Sequence, residues 1–142
     1  MKTLVVAQQK GGVGKTSSVV HLAFDFLERG LSVAVIDLDT QANASYTLGQ
    51  YKIAARASQL FGPVPADRWQ QAAQAQEDGP RLVLIEADPE LANAVFLPLP
   101  KARKNMSANI EALAEQGFDI CLIDTAPGLG VALVAALYAA DC

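Results

Sequence analysis

Two lysines, Lys10 and Lys15, stand five residues apart in the stretch QQKGGVGKTS, residues 8–17. Between them lie Gly11, Gly12, Val13 and Gly14. Glycines let a backbone curl until successive N–H groups point at one centre, which makes a cradle for phosphate oxygens. A helix beginning near Lys15 adds the positive end of its dipole. In such a loop the Lys15 ammonium contacts the β- and γ-phosphates of a nucleotide, and the Thr16 hydroxyl coordinates Mg²⁺. Ser17 completes the candidate nucleotide-binding set. The strict pattern G-x-x-x-x-G-K-[ST] needs glycine at position 9, where Gln9 stands. A glycine-rich turn that binds nothing is the alternative.

Three carboxylates accompany the loop. Asp124 ends an apolar run, where a charge is costly unless it is paired or bound to a metal. Capping the following loop is its other reading. Asp37 and Asp39 are two apart on an extended segment, so they point the same way. A solvated pair at a strand end is the alternative there.

The elements that must position these groups alternate in type. TLVVAQ (3–8), LSVAVID (31–37), RLVLIEAD (81–88) and FDICLID (118–124) read as buried strands. Residues 15–29 place Val19, Leu22, Ala23, Phe26 and Leu27 at helical spacing, and Gly30 ends that helix. A short helix is expected around 43–48, another from Pro89 to about Val95, a longer one over 104–116 stopped by Gly117, and a last one over VALVAALYAA (131–140). FLPLPK reads as irregular. The stretch 50–81 is the least legible: ARASQLF reads as one or two helical turns, GPVP as a breaker and ADRWQQAAQAQ as a polar helix. Strands alternating with helices specify an α/β fold with a parallel sheet covered on both faces. Ligands then sit beyond the carboxyl ends of the strands. Three of the four strands end there in chemistry: the glycine loop, Asp37 with Asp39, and Asp124.

The 142 residues suit one domain with a real core. No apolar run approaches the ~20 residues that span a bilayer, and the start shows no signal peptide, so the reading is cytoplasmic. The net charge of −4 makes the chain as a whole a poor partner for nucleic acid, though a local basic patch stays open. Cys121 reads as a buried structural thiol, and neither it nor Cys142 belongs to a metal or redox motif. His21 reads as a helix-surface or partly buried residue. Trp69 reads as core or as a partner contact. The cluster KARK (101–104) reads as a solvated loop, with DNA or a partner protein as the alternative.

KGGVGKTS resembles the deviant Walker A motif of the ParA/MinD family of P-loop ATPases. DLDTQANAS resembles that family's D-x-D-P-Q-x-N segment, and DICLIDTAPGLG its Walker B and switch II segment. The glutamine before Lys10 is closer to the ParA partition branch. The resemblance implies a P-loop sheet in which the four strands lie in the order 3-2-4-1. It implies ATP/ADP and Mg²⁺ as ligands, with Thr16, Asp124 and, more loosely, Asp37 at the metal. Asp39 would orient the attacking water. Lys10 would reach across a dimer interface to the partner's nucleotide, which answers why the loop has a second lysine; a cis contact or a solvated lysine is the reading without the family. Two departures, Thr40 for proline and Ala126 for proline, change loop stiffness and remove no reacting side chain.

The same resemblance implies a homodimer with ATP, non-specific DNA binding, a ParB-like partner, and a bacterial nucleoid location. Rival readings are a relative that positions a protein complex or membrane-associated cargo, a metabolic enzyme that uses ATP to activate a small carboxylate, and a nucleotide-binding remnant without turnover. Family members continue into further strands beside strand 1. The chain therefore reads as the N-terminal part of the domain, with TLVVAQ as an exposed edge prone to self-association.

Overall fold

The structure, a computed structural model, describes residues 1–6, 15–64, 69, 79–126 and 130–141. In chain order the elements are β1 (Lys2–Val6), α1 (Lys15–Glu28), β2 (Val33–Leu38), α2 (Asn43–Thr47), β3 (Lys52–Arg56), β4 (Leu82–Glu86), α3 (Leu99–Ala114), β5 (Ile120–Thr125) and α4 (Val131–Ala139). Three 3-10 segments, Gly49–Tyr51, Ala57–Phe61 and Pro89–Phe96, connect them. The strands form one sheet in the order β1-β5-β2-β4-β3, every pairing parallel. The four strands expected from sequence therefore lie side by side in the expected order, and β3 is added outside β4.

Both faces of this sheet are covered, which is why its central strands are apolar without alternation. Every residue of β2 and β5 is buried. Val33, Val35, Leu82, Leu84, Ile120 and Leu122 face one way and pack with Val19 and Ala23 of α1. Ala34, Ile36, Val83, Ile85, Cys121 and Ile123 face the other way, toward Ala102, Met106, Ile110 and Leu113 of α3 and Ala135 and Ala136 of α4. Burial pushes the Cys121 thiol up to about 12, as befits a structural residue.

Helix α1 ends in a Schellman motif. The Leu31 amide donates to the Phe26 carbonyl at 3.0 Å and the Gly30 amide to Leu27 at 3.0 Å, with Gly30 at φ +86°. That dihedral is open to glycine at no steric cost.

Three expectations need correction. Residues 52–56 form a strand; KIAAR is an edge strand with one buried residue, so its sequence carries little apolar signal. Helix α3 begins at Leu99 rather than near 104. Pro100 sits in its first turn, where a missing N–H costs nothing. The segment from Pro89 is a 3-10 helix. As expected, strand β1 is the sheet edge among the described residues, and at the buried Thr3 that edge is partly covered. The Thr3 amide donates to Asp141 Oδ2 at 2.8 Å, and the Asp141 amide donates to the Thr3 carbonyl at 2.8 Å. The polar helix read over ADRWQQAAQAQ lies outside the described residues except for Trp69, which is core at 2% exposure.

Candidate functional site

The carboxyl ends of three strands meet in register. Val6 of β1 stands beside Asp124 of β5, and Asp124 stands beside Asp37 of β2. Paired residues in a parallel sheet point to the same face. Here that is the α1 face, because Val35 and Leu122, two residues back, both pack there. The Thr125 hydroxyl donates to the Val6 carbonyl at 2.9 Å and fixes the exit of β1. Helix α1 starts at Lys15 on the same face. Lys10, Gly11, Gly12, Val13 and Gly14 lie outside the described residues, as do the side chains of Lys15, Thr16 and Ser17.

Asp37 and Asp124 are both fully buried, and Asp39 is 6% exposed. Asp37 accepts three hydrogen bonds: from the Asp39 amide at 3.0 Å, the Ser45 amide at 2.8 Å and the Ser45 hydroxyl at 2.6 Å. Its pKa is raised above the usual carboxylate value, chiefly by burial. The Asp124 charge adds to the rise, while the Ser45 and backbone hydrogen bonds oppose it. A carboxylate offers about four acceptor positions, so Asp37 has most of them filled by the protein itself. Its second role is structural: its contact with the Ser45 amide caps α2, whose N-cap residue Ala42 has no side-chain oxygen to do so.

The turn between the two loop ends is wound around Asp39. Its Oδ1 accepts from the Gln41 amide at 3.0 Å, and its carbonyl from the Ala42 amide at 2.8 Å. Ala42 stands at φ 58°, ψ 32°, the only described non-glycine residue at positive φ. A side chain costs about 1–2 kcal/mol there. Ala42→Gly is therefore expected to raise stability by about 1 kcal/mol, read as a higher urea midpoint at unchanged slope; an unchanged or lower midpoint contradicts the strain.

Sequence reasoning missed Ser45 and the end of β4. The Ser45 hydroxyl also accepts the Ala87 amide at 2.8 Å. The next residue, Asp88, is 8% exposed and accepts from the Ser58 hydroxyl at 2.5 Å and the Ser58 amide at 3.2 Å. Nothing in the spacing of Ser45 from Asp37 or Ser58 from Asp88 announces these contacts. His21 is exposed on α1. Lys101, Arg103 and Lys104 are exposed on α3, in a helix rather than a loop, with the Arg103 guanidinium 3.7 Å from the Tyr138 ring centre. Among the described residues, no group of three or more His, Cys, Asp or Glu gathers as a metal cluster, and no helix is long and apolar enough to cross a membrane.

The sequence is 66% identical to Protein IncC of Escherichia coli over 99% of this chain and 39% of that protein. It is 32% identical to the Chromosome partitioning protein ParA of Caulobacter vibrioides over 99% of this chain and 54% of that protein. Among solved structures, Cobyrinic Acid a,c-diamide synthase from Mycobacterium smegmatis with bound ADP and magnesium superposes with a TM-score of 0.76 at 29% identity, over 99% of this chain and 57% of that one. The chain thus spans about two fifths to somewhat over half of these proteins. An AAA domain family model matches residues 1–142. With that match and its three motifs in order on a parallel sheet, the chain belongs to the ParA/MinD-type AAA domain family of P-loop ATPases.

Proposed function

We propose that this chain is the phosphate- and magnesium-binding half of a ParA-type partition ATPase. It binds MgATP through the amides of residues 11–16 and the Lys15 ammonium, with Ser17 beside them. ATP joins two copies into a dimer in which Lys10 of each reaches the other's nucleotide. That dimer binds DNA without sequence preference, and hydrolysis stimulated by a ParB-like protein releases it, in the bacterial cytoplasm at the nucleoid. Repeated cycles segregate plasmids or chromosomes.

The observation that carries the reading is the register of Val6, Asp124 and Asp37. It sets the exit into the glycine loop directly beside two buried carboxylates on the face where α1 begins. A fully buried carboxylate at a strand end is a hard oxygen donor suited to Mg²⁺, and the site fits that ion. Thr16 and Asp124 would hold it. Asp37, with most of its acceptor capacity taken by Ser45 and Asp39, fits an outer position. Magnesium supplies neutralisation of charge on the phosphate oxygens. Asp39, at the head of the turn, orients the attacking water.

The test is nucleotide binding by calorimetry and ATP turnover with and without duplex DNA, for the parent and for Lys15→Ala. The expected result is MgATP binding, DNA-responsive turnover, and loss of both in the variant. No ATP uptake by folded parent protein overturns the reading. A second reading, ATP-dependent activation of a small carboxylate, is favoured by the likeness to the diamide synthase. Turnover that requires a small acid and ignores DNA would select it.

A further inference from the structure

We propose that Ser45 is a positioning residue for hydrolysis, its hydroxyl clamped between the Ala87 amide and the Asp37 carboxylate so that Asp37 fixes the backbone of Asp39. The inference rests on the ATPase reading above and adds a residue to it.

The hydrogen bonds form one continuous chain with no freedom in its direction. The Ala87 amide can only donate, and it donates to Ser45 Oγ at 2.8 Å. The hydroxyl proton must then go to the remaining partner, Asp37 Oδ2, at 2.6 Å. The other oxygen of Asp37 accepts the Asp39 amide at 3.0 Å. The end of β4, the start of α2, the end of β2 and the head of the Asp39 turn are thereby tied in series. Bonds to ionised acceptors are the stronger ones, and this one lies beside a fully buried carboxylate, where water does not compete.

The turn needs such a tether. Ala42 holds it in a left-handed conformation that an alanine leaves when it can. Asp39 spends Oδ1 on the Gln41 amide, so its carboxylate direction follows the backbone of the turn. Take away the Ser45 hydroxyl, and Asp37 loses its shortest contact while the Ala87 amide loses its acceptor. Asp37 Oδ2 is then held by the Ser45 amide alone, at 2.8 Å, so the carboxylate plane is less firmly fixed and the Asp39 amide has a looser partner. The hydroxyl accepts from the amide and donates to the carboxylate through one oxygen. Threonine keeps that ability and alanine does not.

Two measurements on Ser45→Ala and Ser45→Thr test this. The first is steady-state turnover. Ser45→Ala is expected to lower kcat about 10- to 100-fold with KM for ATP within about threefold of parent; Ser45→Thr is expected to recover most of the rate. The second is hydrogen exchange without nucleotide. The Asp39 amide is expected to exchange more than about tenfold faster in Ser45→Ala than in parent, and at the parent rate in Ser45→Thr. Unchanged exchange at Asp39 in Ser45→Ala, unchanged kcat, or equal loss in both variants overturns the positioning role. A parent protein that takes up no ATP overturns the ATPase reading itself, a result that nucleotide binding reports separately from exchange.

Discussion

Lys10→Ala is expected to cut ATP turnover by about 10³-fold or more, on the scale of trans-acting arginines in other P-loop enzymes. Binding of MgATP to a single chain is expected to stay within severalfold of parent. The physical argument starts from the two lysines of one loop. Lys15 is the first residue of α1, and in the proposed function it belongs to the cradle of its own chain. A cation five residues earlier, on the far side of the glycines, adds little to a phosphate already held by Lys15 and the amides. In the proposed dimer it would add a great deal to a partner's phosphate, where charge grows during hydrolysis and the interface would exclude water. Complementation separates trans from cis. Lys10→Ala and Asp39→Ala are each expected to be nearly inactive alone. Mixed in equal amounts, they form heterodimers in which one site has its own Asp39 and receives Lys10 from the other chain. Random pairing then restores about a quarter of the parent rate. No recovery on mixing, with dimers present by light scattering, places Lys10 in cis; full turnover by Lys10→Ala alone removes it from the chemistry.

The site is assembled from contacts of two kinds, and only one kind is legible in a sequence. Strand ends in a parallel sheet fall at one edge, so an acid closing an apolar run announces its own location. Asp37 and Asp124 were found that way, and their registration follows from β2 and β5 being neighbours. The Ser45 clamp is the other kind. It joins residues on different elements, so neither strand nor helical period links them, through a turn containing an alanine at positive φ, a conformation no propensity assigns to alanine. Strand β3 escaped for a related reason. It pairs with β4 at Lys52–Leu84 and Arg56–Glu86 around an irregularity, and only Ala55 within it is buried. A strand on one edge buries little, so its residues need not be apolar. The start of α3 was hidden by its prolines, which break helices in the interior and open them at the first turn. Trp69 had two readings in sequence, and its burial against the α3 face selects core.

The largest loss of stability is expected at Asn109, a residue that sequence reading passes over as an ordinary polar position of a helix. It is fully buried in the middle of α3. Its side-chain nitrogen reaches the carbonyls of Leu60 at 3.0 Å, Gly62 at 3.0 Å and Asn105 at 2.9 Å, so one of its two N–H groups is shared between two of them. Its oxygen accepts Trp69 Nε1 at 3.2 Å. One amide thus satisfies the carbonyls that leave the 3-10 segment Ala57–Phe61 and the indole packed beneath them. Asn105, one turn earlier, donates to the Phe61 carbonyl at 2.7 Å and joins the same seam. Asn109→Ala leaves a gap and orphans two carbonyls outside α3 together with the indole N–H, each unpaired group costing about 1–3 kcal/mol. The summed loss is expected to be about 3–5 kcal/mol, a large share of the ~5–15 kcal/mol that holds a domain. Trp69→Phe removes the indole donor and leaves the contacts of the Asn109 nitrogen with the carbonyls in place, so it is expected to cost only about 1–2 kcal/mol. Urea unfolding of the three proteins checks the ranking. A loss below about 1 kcal/mol in Asn109→Ala would mean that water replaces the amide at this seam. The contacts of Asn109 lie on the face covered by α3 and α4, while Asp37 and Asp124 point to the α1 face. An Asn109 variant that is still folded is therefore expected to bind MgATP like the parent, so stability falls while the site holds.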